Sequence, residues 1–193
     1  MRRFLTAALI GVPVLALVGF ACARELDVSK KGKKLDMKDY TGQNFEYHDF
    51  EGCSLWLTRF KACKLKGSSF KDCELESAYF DQADCTDCDF TGAHLKYTGF
   101  QETILANANL EGQDFTNIPT FLRADMRGAN LRNTKNWRDI NMTDLRGAKL
   151  QGAIMLYVKS PETAKWKGAE YDSKTRFPDG IDPAEVGAVL KEE

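Results

Sequence analysis

A large apolar residue recurs at every fifth position from Leu35 to Phe115, with one substitution. Counted in fives, the series is Leu35, Tyr40, Phe45, Phe50, Leu55, Phe60, Leu65, Phe70, Leu75, Phe80, Cys85, Phe90, Leu95, Phe100, Leu105, Leu110 and Phe115. An α-helix repeats every 3.6 residues and a strand every 2, so neither produces this spacing. A strict short repeat is the mark of a solenoid, in which each unit buries its apolar face only by stacking on its neighbours. Such a scaffold carries no chemistry of its own, and function has to be sought on its surface.

Two residues before each large position sits a smaller class that includes Cys53, Thr58, Cys63, Ser68, Cys73, Ala78, Ala83, Cys88, Ala93, Thr98, Thr103 and Ala108. Large and small positions point inward, and the other three of each five are mostly polar or Gly. The units Ala108-Asn109-Leu110-Glu111-Gly112 and Ala129-Asn130-Leu131-Arg132-Asn133 resemble the A(D/N)LxG signature of the pentapeptide-repeat family, and Ala148-Lys149-Leu150-Gln151-Gly152 departs from it at one residue only, Lys149. The resemblance spans about Leu35 to Met155. It implies an all-β fold, a right-handed quadrilateral β-helix with four pentapeptides per coil.

The outward residues test that coil length independently. With four fives per turn, residues twenty apart are rung neighbours about 4.8 Å apart, where opposite charges are favoured. Between Lys34 and Glu111 this spacing pairs Asp39 with Arg59, Glu46 with Lys66, Glu51 with Lys71, Lys61 with Asp81, Lys64 with Asp84 and Glu76 with Lys96, and never like with like. Large residues sort the same way. Leu35, Leu55, Leu75 and Leu95 form one column, Tyr40, Phe60, Phe80 and Phe100 the next, and Phe50, Phe70 and Phe90 a third, so two opposite walls are mainly Leu and two mainly Phe.

The 193 residues are 43% hydrophobic, sufficient for one domain with a continuous core. Residues 1–23 stand outside the repeat. Arg2 and Arg3 precede an apolar run from Phe4 to Phe20, and Ala21-Cys22-Ala23 supplies a small-residue cleavage site, which together predict a signal peptide cut before Arg24 and a periplasmic or otherwise exported product. The alternative is a lipoprotein acylated at Cys22 and anchored to the membrane, although Gly19-Phe20-Ala21 lacks the usual branched apolar residue. Seventeen apolar residues only reach the lower limit for a span, so no membrane insertion is expected after cleavage. Losing Arg2 and Arg3 leaves 25 basic and 28 acidic residues, a net −3. That balance argues against a nucleic-acid binder and equally against a strongly acidic DNA mimic.

Residues 24–34 read as a charged lead-in, and 35–157 as the solenoid. Its register slips twice, near 116–120, where Pro119 accompanies one extra residue, and near 133–139, where one is missing. Loops on rigid scaffolds concentrate function, while a tolerated indel is the plainer reading. From 158 to 193 the chain reads as a cap. Asp182, Pro183 and Glu185 stand as N-cap, N1 and N3 of a helix over about 183–192, with Val186, Val189 and Leu190 on its apolar side.

Cys53, Cys63, Cys73 and Cys88 occupy small inward positions, where cysteine serves as a compact hydrophobe. Cys85 and Cys88 form the one CxxC, and core filling is set against a local disulfide between them. No helix N-terminus or second ligand pair accompanies them, as a redox or zinc site requires. His48 and His94 make no triad or cluster. No catalytic residue, metal ligand or cofactor is therefore expected, and an enzyme is not expected either.

Surface remains. Trp56 and Leu57 point outward from one wall, Met37 sits one rung below Leu57, and Tyr79 and Tyr97 lie further up near that corner. Either Leu26 and Val28 of the lead-in cover this group, or it binds a partner. With Pro119 it makes the candidate protein-binding surface. The expected function is a non-enzymatic exported scaffold contacting an unidentified protein, with no nucleic acid as partner. The alternative implied by the family resemblance is a DNA mimic that binds type II topoisomerases such as gyrase.

Overall fold

Three kinds of residue set the local geometry of each unit. A large residue ends one wall, two residues turn the corner, and a small residue opens the next wall. The small residue's amide closes the turn onto the carbonyl of the large one, as from Cys53 to Phe50 and from Ala78 to Leu75, both at 2.9 Å. Asp or Asn just before the large residue accepts the amide of the first turn residue, as Asp89 accepts from Thr91 at 2.9 Å. The second turn residue takes a positive φ, 70° at Gly92, which glycine adopts without a steric penalty. These two needs explain the D/N and G of the repeat.

The computed structural model describes residues 32–118 and 120–192. The expected signal peptide, Cys22, most of the lead-in and Pro119 lie outside the described residues. Within them the chain winds into a four-sided β-solenoid whose ladders are parallel. Lys34, Ser54, Glu74 and His94 stack on one wall, and Asp39, Arg59, Tyr79 and Gly99 on the next. Asn44, Lys64, Asp84 and Ile104 mark the third, and Asp49, Ser69, Asp89 and Asn109 the fourth. Each step is twenty residues, as the outward charges require. Ile104 then pairs with Asp125, and Asp125 with Asp144, so one coil is longer by a residue and the next shorter by one.

The large residues fill the interior. Phe50, Phe70 and Phe90 stack at ring separations of 4.9 and 5.2 Å, and Phe60, Phe80 and Phe100 at 5.1 and 5.4 Å. Rings of the two stacks meet edge to face, Phe60 against Phe70 at 5.6 Å. Such pairs add about 0.5–1.5 kcal/mol each beyond the area they bury.

Two expectations for the C-terminal region are corrected. The ladder does not stop at residue 157. Asp139 pairs with Lys159, Asp144 with Lys165, Lys149 with Glu170 and Ile154 with Arg176, so another coil forms with looser spacing around a single 3-10 turn at Pro161–Thr163. Ala169 and Trp166 take inward places outside the regular fives. Nor is there a capping helix at 183–192. Asp182 does accept the Ala184 amide at 2.8 Å, in the manner of an N-cap. After one turn, however, the Gly187 amide reaches Ala184 and the Ala188 amide reaches Pro183, the two bonds of a Schellman closure around Gly187 at φ 75°. The chain leaves as strand β2 (Val189–Leu190), parallel to β1 (Glu170–Tyr171), and adds a last rung in place of a lid.

Candidate functional site

Between the Lys34 wall and the Asp39 wall runs one corner of the solenoid. Its positive-φ slot is held by Met37, Leu57, Ser77 and Tyr97 on successive rungs, at φ 56°, 54°, 59° and 58°. Each of the other three corners places glycine in this slot at least once along the regular coils, whereas on this corner the slot has no glycine from Met37 to Tyr157 and takes one only at Gly180, in the turn after Arg176. A side chain in this conformation costs about 1–2 kcal/mol. Met37 is 66% exposed and Tyr97 52%, so burial does not offset that cost. Trp56 sits beside Leu57, its amide bonded to Asp36 at 2.9 Å, and the Lys96 ammonium lies 5.1 Å from the centre of the Tyr97 ring. The structure therefore brings Met37, Trp56, Leu57 and Tyr97 onto one edge. Tyr79 is separate, exposed on the adjoining wall between Arg59 and Gly99.

The same edge carries both register slips. Ordinarily four residues link one wall's outward position to the next, as Leu55 to Thr58 link Ser54 to Arg59. Only three link Lys135 to Asp139. Asn136 turns outward at φ 59°, and Trp137 turns in, 2% exposed, with its indole against Phe115 at 4.9 Å. One large side chain thus fills the space that a large and a small residue share elsewhere, and the corner is cut short. The cut leaves a notch of about 330 Å³ bordered by Thr116 below, Trp137 and Arg138 within, and Leu156, Tyr157 and Lys159 above. Tyr157 is 86% exposed.

One rung lower on the Lys34 wall, the ladder parts. Elsewhere on this wall Leu75 donates to His94 at 3.0 Å and His94 to Cys73 at 2.9 Å, but the matching bonds from Leu95 to Asp114 and from Asp114 to Ala93 are absent. Gln113 stands where Ala or Thr is usual, buried, its amide donating to the Phe90 carbonyl at 2.9 Å. Its greater length holds the two coils apart beside the lengthened coil. Burial works to raise the pKa of the Asp114 carboxyl, but hydrogen bonds from Thr116 and Asn136 and the ammonium of Lys135 outweigh it and hold it at about 2. His94 bonds through Nδ1 to Glu74 at 2.9 Å.

Cys53, Cys63, Cys73, Cys85 and Cys88 are buried free thiols. Cys85 and Cys88 are both free rather than joined in a local disulfide, and the Cys88 thiol donates to the Leu65 carbonyl at 3.0 Å. Burial raises the thiol pKa of Cys53 and Cys63, carries Cys73 to about 12, and, with Cys88 beside it, raises that of Cys85. None is poised as a nucleophile. Among the described residues no group of three or more His, Cys, Asp or Glu side chains could hold a metal ion, and no helix is long and apolar enough to cross a membrane.

The site is thus a partly apolar edge presented by a four-sided β-solenoid. The chain belongs to the pentapeptide-repeat family. It matches the pentapeptide repeat region over residues 34–110 and an eight-copy block of pentapeptide repeats over residues 99–133. Several solved structures are similar to it. A pentapeptide repeat protein from the Arabidopsis thaliana thylakoid lumen is 28% identical, over 60% of this chain and 67% of that one, with a TM-score of 0.33. QnrB1, a plasmid-mediated fluoroquinolone resistance protein, is 14% identical in a trypsin-treated form, over 83% and 91%, with a TM-score of 0.44. A pentapeptide repeat protein from Nostoc is 23% identical, over 75% and 85%, with a TM-score of 0.28. No curated protein matches the chain.

Sequence reading located Met37, Trp56, Leu57 and Tyr97 but missed Trp137, Arg138, Leu156, Tyr157 and Lys159. The signal was present. Carrying the count through the missing residue places Leu156-Tyr157 on the corner of Trp56-Leu57, 100 residues on.

Proposed function

We propose that this chain is an exported, non-enzymatic β-solenoid that binds another protein through the corner running from Met37 to Tyr157. The observation that carries the reading is the corner from Met37 to Tyr157, where no glycine takes the positive-φ slot and the exposed side chains of Met37, Tyr97 and Tyr157 occupy backbone positions whose strain burial does not offset. Strain of this kind gathers at functional positions. Export rests on the leader-like composition of residues 1–23. The mixed charges of the walls, with Arg59, Lys64 and Lys135 among the aspartates, do not suit an imitation of duplex DNA, which needs negative charge about every 1.7 Å of axis.

The test begins by fractionating cells and sequencing the mature N-terminus, with Arg24 expected as the first residue. Cross-linked partners are then captured in the same compartment by the native chain and by a Leu57→Ser/Tyr97→Ser variant. A partner held by the native chain and released by the variant supports the reading. Equal capture by both, or a full-length cytosolic chain that inhibits gyrase supercoiling, overturns it.

A further inference from the structure

The notch at the cut corner has a chemistry the rest of the edge lacks. Arg138 and Lys159 border it, and among the described residues neither side chain has an ion-pair or hydrogen-bond partner. Their situation contrasts with that of their neighbours, since Lys135 is bound to Asp114 at 3.4 Å and Lys96 to Glu76 at 3.4 Å. No carboxylate is among the residues that line the notch. Leu156, Tyr157 and the edge of the largely buried Trp137 indole give it an apolar side, and Thr116 and Asn136 complete the lining.

We infer that the notch is a docking site for an acidic linear segment of a partner protein, with an apolar side chain seated against Leu156 and Trp137 and flanking carboxylates on Arg138 and Lys159. Charge complementarity selects this occupant. Two uncommitted cations beside a small recess with an apolar side suit a carboxylate-flanked hydrophobic residue, because a guanidinium takes a carboxylate in a bidentate pair and an ammonium takes it as a point charge. The recess is also pre-formed. Trp137 is locked by Phe115 on one side and by its own Nε1–H to the Thr134 hydroxyl at 3.1 Å on the other, so a ligand meets little ordering cost in the floor. Tyr157 supplies a large exposed ring with few degrees of freedom, a side-chain type enriched where partners anchor.

This inference rests on the protein-binding reading of the edge but is confined to its upper half. It is tested on the full chain with a fluorescein-labelled hexapeptide, a Leu-Phe pair flanked by two acidic residues on either side, followed by fluorescence anisotropy. A peptide of the same length with lysines in place of the acids is the control. Expected are saturable binding of the acidic peptide, weakening with added salt, and at least a tenfold loss in the variant Arg138→Ala/Lys159→Ala, with no binding of the basic control. A charge-reversed Arg138→Glu/Lys159→Glu chain should exchange the preference. Both side chains lie at the surface, and unchanged melting curves establish that the variants fold. The inference is overturned by equal binding of the two peptides, or by unaltered affinity in the alanine variant. It is overturned equally if the acidic peptide does not bind while the same variant abolishes self-association in sedimentation, or adsorption to phosphatidylglycerol vesicles, since the occupant is then a second copy or a lipid surface. Failure here leaves partner capture through Leu57 and Tyr97 standing, so the two proposals fail separately.

Discussion

Small inward residues do more than fill space. Thr58, Cys63, Ser68, Cys73, Cys88, Thr98 and Thr103 each donate to the carbonyl of the large residue twenty-three positions earlier, at 2.6–3.0 Å. Hydroxyl and thiol are interchangeable here because both are compact and both donate, although a thiol does so more weakly. Ala at the same slot in other rungs packs without donating. Asp114 offers the sharpest test at this scale. An unfolded aspartate titrates near pH 3.9, whereas Asp114 in the folded chain titrates at about 2. A depressed folded pKa contributes stability that is complete above the unfolded value and is lost as the pH falls through the folded one. Native protein should therefore melt above Asp114→Asn at pH 6, with the gap closing between about pH 4 and pH 2 in circular-dichroism melts. A gap that stays constant over that range would contradict the assignment.

At the scale of the rung, stability resides in the stacked columns and far less in the outward charges. Phe70 is fully buried between Phe50 and Phe90 and touches Phe60 and Phe80 edge-on. Phe70→Ala empties the centre of the stack and should cost roughly 3–5 kcal/mol. The neighbouring Lys71 is exposed and paired with Asp89 at 3.1 Å, an ion pair that water and salt screen. Lys71→Ala should scarcely move the denaturation midpoint. Comparable losses in the two variants would show that the inward and outward assignments are mistaken. The outward ladders also change character along the rod. Below Glu111 rung neighbours alternate in sign, yet Asp125 and Asp144 are paired rungs of like charge. Arg127 and Arg146 each clamp the aspartate two residues before them, at 2.6 and 2.7 Å, so neutrality is restored within a unit instead of between units.

Across the whole molecule the parted ladder between His94 and Asp114 divides the rod. Coils below it follow the twenty-residue spacing, and those above it vary from nineteen to twenty-two. A solenoid's cohesion is the sum of nearest-neighbour interfaces, so a seam short of hydrogen bonds is where it opens first. Amides of Leu95 and Asp114 should exchange with deuterium much faster than those of Leu75 and His94, which are paired at 3.0 and 2.9 Å. Equal protection of the four amides would mean that the seam is closed in solution. The seam and the notch lie on adjoining rungs, placing the least regular part of the rod along its proposed binding edge.

The sequence by itself determined the architecture. A five-residue period admits only a stacked fold, and the sorting of charges and of Leu and Phe at intervals of twenty settles four units to a coil. It also located both slips and the lower half of the apolar edge, because rigid periodicity converts sequence distance into spatial distance. What the tertiary structure decided lies where the period fails. Trp137 doing the work of two residues, the notch that follows, and the seam beside Gln113 depend on how neighbouring coils share space, which no local pattern encodes. The expected capping helix failed for a related reason. Asp182 and Pro183 specify a start, but Gly187 closes the turn at once, and the open ladder of Glu170–Tyr171 offers backbone partners that Val189–Leu190 takes in place of continuing a helix.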